Sequence, residues 1–111
     1  MAFSRACAID EIEDDAALAV TIDGIDVAVA RDGDDVYALQ DLCSHQAVPL
    51  TQGEVADCQI ECFLHGSMFD LRTGKPTNLP ATEPVSTFPV EVRGEDVFVD
   101  VSTSLNGVQP T

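Results

Sequence analysis

Apolar and polar residues alternate with a period of two along several short stretches of this chain. Ala16 to Ile22 and Ile25 to Ala30 are β-prone runs joined at Asp23-Gly24, a strong signal for the tight turn of a hairpin. Val27 and Val29 alternate with Asp26, Ala28 and Ala30, and Asp32-Gly33-Asp34-Asp35 turns the chain again into Val36 to Leu39. Near the other end, Val90 and Val92 alternate with Glu91 and Arg93. The turn Arg93-Gly94-Glu95-Asp96 then leads into Val97, Val99 and Val101, with Phe98 and Asp100 on the other face. Successive side chains of a strand point to opposite faces, so these runs are predicted half-buried strands. Helical periodicity is poor; the acidic stretch Ile9 to Asp15 is predicted to form a short turn at most. The middle, about 41–80, has another texture. Pro49, Gly53, Gly66, Gly74, Pro76 and Pro80 punctuate short apolar pieces at Gln59 to Phe63 and Met68 to Leu71. It reads as two loops and a few short strands set into a sandwich or barrel. The polar tail, about 102–111, is expected to be mobile. The fold class is all-β, one domain over 1–111.

Charge narrows the partners. The formal net charge is −15, from 5 basic and 20 acidic residues. Nucleic acid needs clustered Lys and Arg, so it is not an expected partner. An acidic surface suits docking onto a basic patch, although charge also serves plain solubility. No apolar run approaches a membrane span, and Met1-Ala2-Phe3-Ser4-Arg5 lacks a signal-peptide pattern. A cytoplasmic monomer with no membrane contact is the expectation.

The chemistry lies in the middle. Cys43-Ser44-His45 is followed, after sixteen residues, by Cys62-Phe63-Leu64-His65. Both histidines and two of the four cysteines are here. A spacer of one or two residues lets both side chains of a tight loop converge, and two such knuckles offer four ligands of borderline softness. Three metal sites compete. Structural zinc usually pairs Cys with Cys and His with His along the chain, whereas each knuckle here is mixed. Blue copper would take Cys62, His65, an axial Met68 and an upstream His45. It leaves Cys43 unused and a long run of chain after Met68, whereas the cupredoxin ligand loop lies close to the C-terminus. A Rieske cluster, with two Cys on one iron and two His on the other, uses all four. Cys7 and Cys58 lack such neighbours and read as small buried hydrophobes.

Cys43-Ser-His45, the sixteen-residue spacer, Cys62-Phe-Leu-His65-Gly66-Ser67 and Phe69-Asp70-Leu71-Arg72-Thr73-Gly74-Lys75-Pro76 closely resemble the Rieske ferredoxins. The resemblance implies an antiparallel β-sandwich with a small cluster-binding subdomain inserted, about 41–80. It implies one [2Fe–2S] cluster held by Cys43, His45, Cys62 and His65, with Ser67 directed at a cluster sulfur. Phe63 and Leu64 would shield it, and His45 and His65 would form an exposed electron port.

Respiratory and photosynthetic members of that family add a membrane anchor and a disulfide between the two cluster loops. Here the corresponding loop residues are Ala47-Val48 and Phe63-Leu64, so no such disulfide is expected. Those members also direct a Tyr hydroxyl at the cluster where this chain has Phe69. Fewer donors stabilise the reduced cluster less, which points to the low end of a range of roughly −150 to +300 mV. The pattern resembles the ferredoxin component of bacterial ring-hydroxylating dioxygenase systems. That implies an electron-transfer component and not an enzyme in its own right. It would carry single electrons from an NAD(P)H-dependent flavoprotein reductase to a terminal oxygenase. The alternatives are a nitrite reductase subunit, a component of iron–sulfur assembly, a blue-copper carrier or a structural zinc interaction module.

Overall fold

A computed structural model of the chain describes residues 3–43, 48–63, 66–79 and 81–110. Its strands, in chain order, are β1 (Ser4–Ala8), β2 (Ala16–Ile22), β3 (Ile25–Asp32), β4 (Asp35–Gln40), β5 (Val55–Ala56), β6 (Gln59–Glu61), β7 (Met68–Asp70), β8 (Thr87–Phe88), β9 (Val90–Arg93) and β10 (Asp96–Val99). Short 3₁₀ turns cover Ile9–Glu11 and Leu50–Gln52.

Among the described residues the strands form three antiparallel sheets, ordered β1-β10-β9, β2-β3-β4-β8 and β5-β6-β7. The predicted first hairpin is present: β2 pairs with β3 from Ala16↔Arg31 to Ile22↔Ile25. Asp23 (φ 51°) and Gly24 (φ 81°) both take positive φ, as the turn that matches strand twist requires. The first two sheets face each other across a core of Val27, Val29, Ala38 and Phe88 against Cys7, Val97 and Val99. Cys7 is buried as expected, and desolvation, with Glu11 nearby, pushes its thiol up. Strand β1 was not anticipated, because Ser4–Ala8 shows no clear apolar alternation.

The third sheet is inserted between β4 and β8 and packs on the other face of the second. This corrects the half-buried reading of β3. Its small residues Ala28 and Ala30 are as fully buried as Val27 and Val29, because Leu50, Val55, Ile60, Phe69 and Leu71 cover them. Large residues face the sandwich and small ones let the inserted lobe approach closely.

Two other expectations fail for identifiable reasons. Asp100 is buried instead of solvent-facing, because it accepts hydrogen bonds from the Ser102 hydroxyl and N–H. Cys58 is half-buried, not a core residue. With Asp57 it makes the β5–β6 turn, at φ 53° and 60° respectively. In the tail, the amide nitrogen of Asn106 donates to the carbonyls of Thr73 (2.8 Å) and Val85 (2.7 Å).

Candidate metal centre

Cys43 and Cys62 leave different sheets and meet in one apolar cluster. Cys43 follows β4, and Cys62 follows β6. Their exposures are 3% and 0%, and neither is in a disulfide. The two loops are closed in the same way. The N–H of Cys43 donates to the carbonyl of Val48 at 2.9 Å, and that of Cys62 to the carbonyl of Ser67 at 2.7 Å. Each bond joins a cysteine to the carbonyl five residues on. Gly66 tightens the second knuckle by donating to Cys62 O at 2.9 Å, with a left-handed φ of 76° that glycine adopts without strain. His45 and His65, the other two expected ligands, lie outside the described residues, as does Leu64. Among the described residues no group of three or more His, Cys, Asp or Glu side chains gathers into a metal site.

The surroundings hold the knuckles in place. The buried carboxylate of Asp41, two residues before Cys43, accepts from Thr51 N–H (2.8 Å) and Thr51 Oγ1 (2.9 Å), which pins the turn Leu50–Gln52 beneath the first loop. The second loop is gripped by the segment after Pro76. There Asn78 and Ala81 bond to Gly66, Ser67 and Met68. Phe69 is fully buried, pairs with Ile60 and bridges Pro76, so its ring is core packing. Phe63, expected to shield the centre, is 47% exposed.

Ser67 gives the most direct indication of what the loops hold. Its side chain is fully buried, and its oxygen accepts the Ala81 N–H at 3.1 Å. A serine hydroxyl also has one proton to donate. Two buried cysteines and the buried Ser67 hydroxyl fit a sulfur-bridged metal group: thiolates ligate, and the hydroxyl meets sulfur acceptors. The donor set therefore accommodates a [2Fe–2S] cluster.

The surface around these loops is unlike the rest. Residues 42–53, 62–69 and 76–82 contain no Asp, Glu, Lys or Arg, in a chain of net charge −15. Pro49 is exposed there, with Phe63 at 47% and Leu79 at 75%.

Residues 2–89 match the family model described as Rieske [2Fe-2S] domain. The chain belongs to this family. A Rieske-type [2Fe–2S] cluster is thus its cofactor, and one-electron transfer its chemistry. Among its Rieske relatives, the biphenyl dioxygenase ferredoxin subunit of Pseudomonas sp. (strain KKS102) is 38% identical over 103 residues, which are 92% of this chain and 94% of that one. The ferredoxin of carbazole 1,9a-dioxygenase from Nocardioides aromaticivorans IC177 superposes with a TM-score of 0.85 at 40% identity, covering 89% and 97% of the two chains. A ferredoxin solved in the complex of reduced oxygenase and oxidised ferredoxin of carbazole 1,9a-dioxygenase gives 0.82 at 35% identity, over 87% and 91%. These relatives are electron-transfer components, and the all-β Rieske fold is shared along nearly their whole length. Among the described residues no helix is long and apolar enough to cross a membrane.

Proposed function

We propose that this Rieske protein passes single electrons from an NAD(P)H-dependent flavoprotein reductase to a terminal oxygenase of an aromatic-ring dioxygenase system. Cys43, His45, Cys62 and His65 hold the cluster, and Ser67 donates a hydrogen bond to one of its sulfurs. When bound, the cluster takes up and releases one electron. The chain's own residues fix both knuckles, exclude water from the thiolate side and present the uncharged face of Pro49, Phe63 and Leu79 to the partner. That face carries the proposal: an electron carrier must meet two partners in turn at one surface and release each, which suits a small apolar patch free of fixed charge pairs. The residues 41–80 act as the cluster-binding subdomain, and the chain works as a cytoplasmic monomer.

The test is reconstitution. Purified reductase, terminal oxygenase and NAD(P)H should oxidise an aromatic substrate when this protein is added and stall when it is left out. Turnover that does not depend on it would refute the oxygenase assignment. A chain that instead sustained a nitrite reductase would move it to that role.

A further inference from the structure

We propose that Asn78 is a positioning residue for the cluster, acting through the three residues that follow His65. The proposal rests on the reading above that Cys62 and His65 are ligands. The Oδ1 of Asn78 accepts the Met68 N–H at 2.6 Å, and its Nδ2 donates to the Gly66 carbonyl at 3.1 Å. One side-chain amide thus pairs with two peptide groups on either side of Ser67, as the backbone of a neighbouring strand would. Its neighbours complete the grip: Thr77 N–H donates to the Met68 carbonyl at 2.7 Å and Ala81 N–H to Ser67 Oγ at 3.1 Å. Gly66, Ser67 and Met68 are therefore all held by the segment 77–81. The hydroxyl of Ser67 accepts from this side with one of its two lone pairs, which directs its proton elsewhere.

Both Asn78 bonds lie at the exposed surface. Water replaces such bonds when they are broken, so their net contribution to folding is small. Their consequence is placement. A loop that slides loosens the Ser67 donor and the backbone behind a ligand, and the reduction potential of an iron–sulfur cluster responds to hydrogen bonds at its sulfurs. Asn78 should accordingly affect the cluster more than it affects the fold.

The experiment uses the holoprotein carrying Asn78→Ala, Ser67→Ala and both. Film voltammetry gives the midpoint, EPR of the reduced state the line width, chelator challenge the cluster half-life, and calorimetry the Tm. Asn78→Ala should lower the midpoint, broaden the signal and shorten the half-life by up to roughly fivefold, the equivalent of about 1 kcal/mol of lost loop placement, with Tm nearly unchanged. In the Ser67→Ala background it should shift the midpoint no further. An unchanged midpoint and half-life would overturn the proposal, as would an equal midpoint shift without Ser67. If Asn78→Ala fails to assemble, Asn78→Asp keeps the acceptor for Met68 N–H and loses the donor to Gly66. It is then read by half-life and line width, because its charge moves the midpoint by itself; wild-type values for both would overturn the proposal. Failure of the underlying reading shows separately, as a Cys62→Ser protein that still assembles a full cluster.

Discussion

Gly53→Ala perturbs the metal centre from a distance, through backbone alone. Gly53 ends the turn Leu50–Gln52, and its N–H donates to Leu50 O at 2.9 Å. A Cβ built on it would overlap the carbonyl oxygen of Glu61, lie 2.7 Å from the Glu61 carbonyl carbon and 3.4 Å from Leu50 O. All are backbone atoms, the two nearest of β6, and cannot swing aside like the end of a side chain. Strand β6 would have to move away, and Glu61 bonds its N–H to Glu54 O at 2.9 Å immediately before Cys62. Overpacking of this kind costs about 1–3 kcal/mol, and loss of the Glu61–Glu54 bond adds about 1 kcal/mol. The total, about 2–4 kcal/mol, is a large part of the roughly 5–15 kcal/mol that stabilises a small domain. Urea unfolding followed by far-UV circular dichroism measures it, and iron per chain reports whether Cys62 still reaches its place. Gly94→Ala is the control. A Cβ there meets nothing within 4 Å, although φ is +61°, so its cost should stay near 1 kcal/mol. Gly53→Ala within about 0.5 kcal/mol of wild type, with full iron content, would refute the reasoning.

Three further outcomes follow from the charge pattern. Hydrogen bonds from the Ser102 hydroxyl, and then from its N–H and from Thr103, hold the Asp100 carboxyl below the usual range despite burial. A depressed folded pKa stabilises above the unfolded value, about 3.9, and that stability is lost as pH falls through the folded value. Asp100→Asn should therefore be less stable at neutral pH and lose less on acidification. Urea midpoints measured from neutral pH to below the unfolded carboxylate value check this, and parallel profiles would contradict it. At the apolar face, Leu79→Asp should slow electron delivery to the oxygenase in stopped flow while leaving the visible spectrum intact. Wild-type delivery should itself slow with salt, as the Debye length shortens to about 10 Å at 0.1 M. A Leu79→Asp protein that transfers at the wild-type rate would remove Leu79 from the docking face.

Much of this was legible in the sequence wherever a signal was local. Asp23-Gly24 announced its hairpin, and the paired spacings Cys43-Ser-His45 and Cys62-Phe-Leu-His65 pointed to the family whose model the chain matches. What was illegible depends on contacts far along the chain. Ala28 and Ala30 read as an outer face because the lobe that buries them comes later. Asp57-Cys58 forms a positive-φ turn with no glycine to mark it. Asn78 and Asn106 read as ordinary loop residues, since their backbone partners stand 10 to 33 positions away.

The central claim, a Rieske cluster on Cys43, His45, Cys62 and His65 that carries one electron, is tested most directly by EPR during a reductive titration of the purified protein, with iron and acid-labile sulfide measured on the same sample. Two irons and two sulfides per chain are expected, with no signal in the oxidised state and a signal that grows to completion with one electron per chain. Ser at Cys43 or Cys62 should abolish it, and Ser at Cys7 or Cys58 should leave it. A signal present when oxidised and lost on reduction would indicate copper, silence in both states would indicate zinc, and a full cluster in Cys62→Ser would break the ligand assignment.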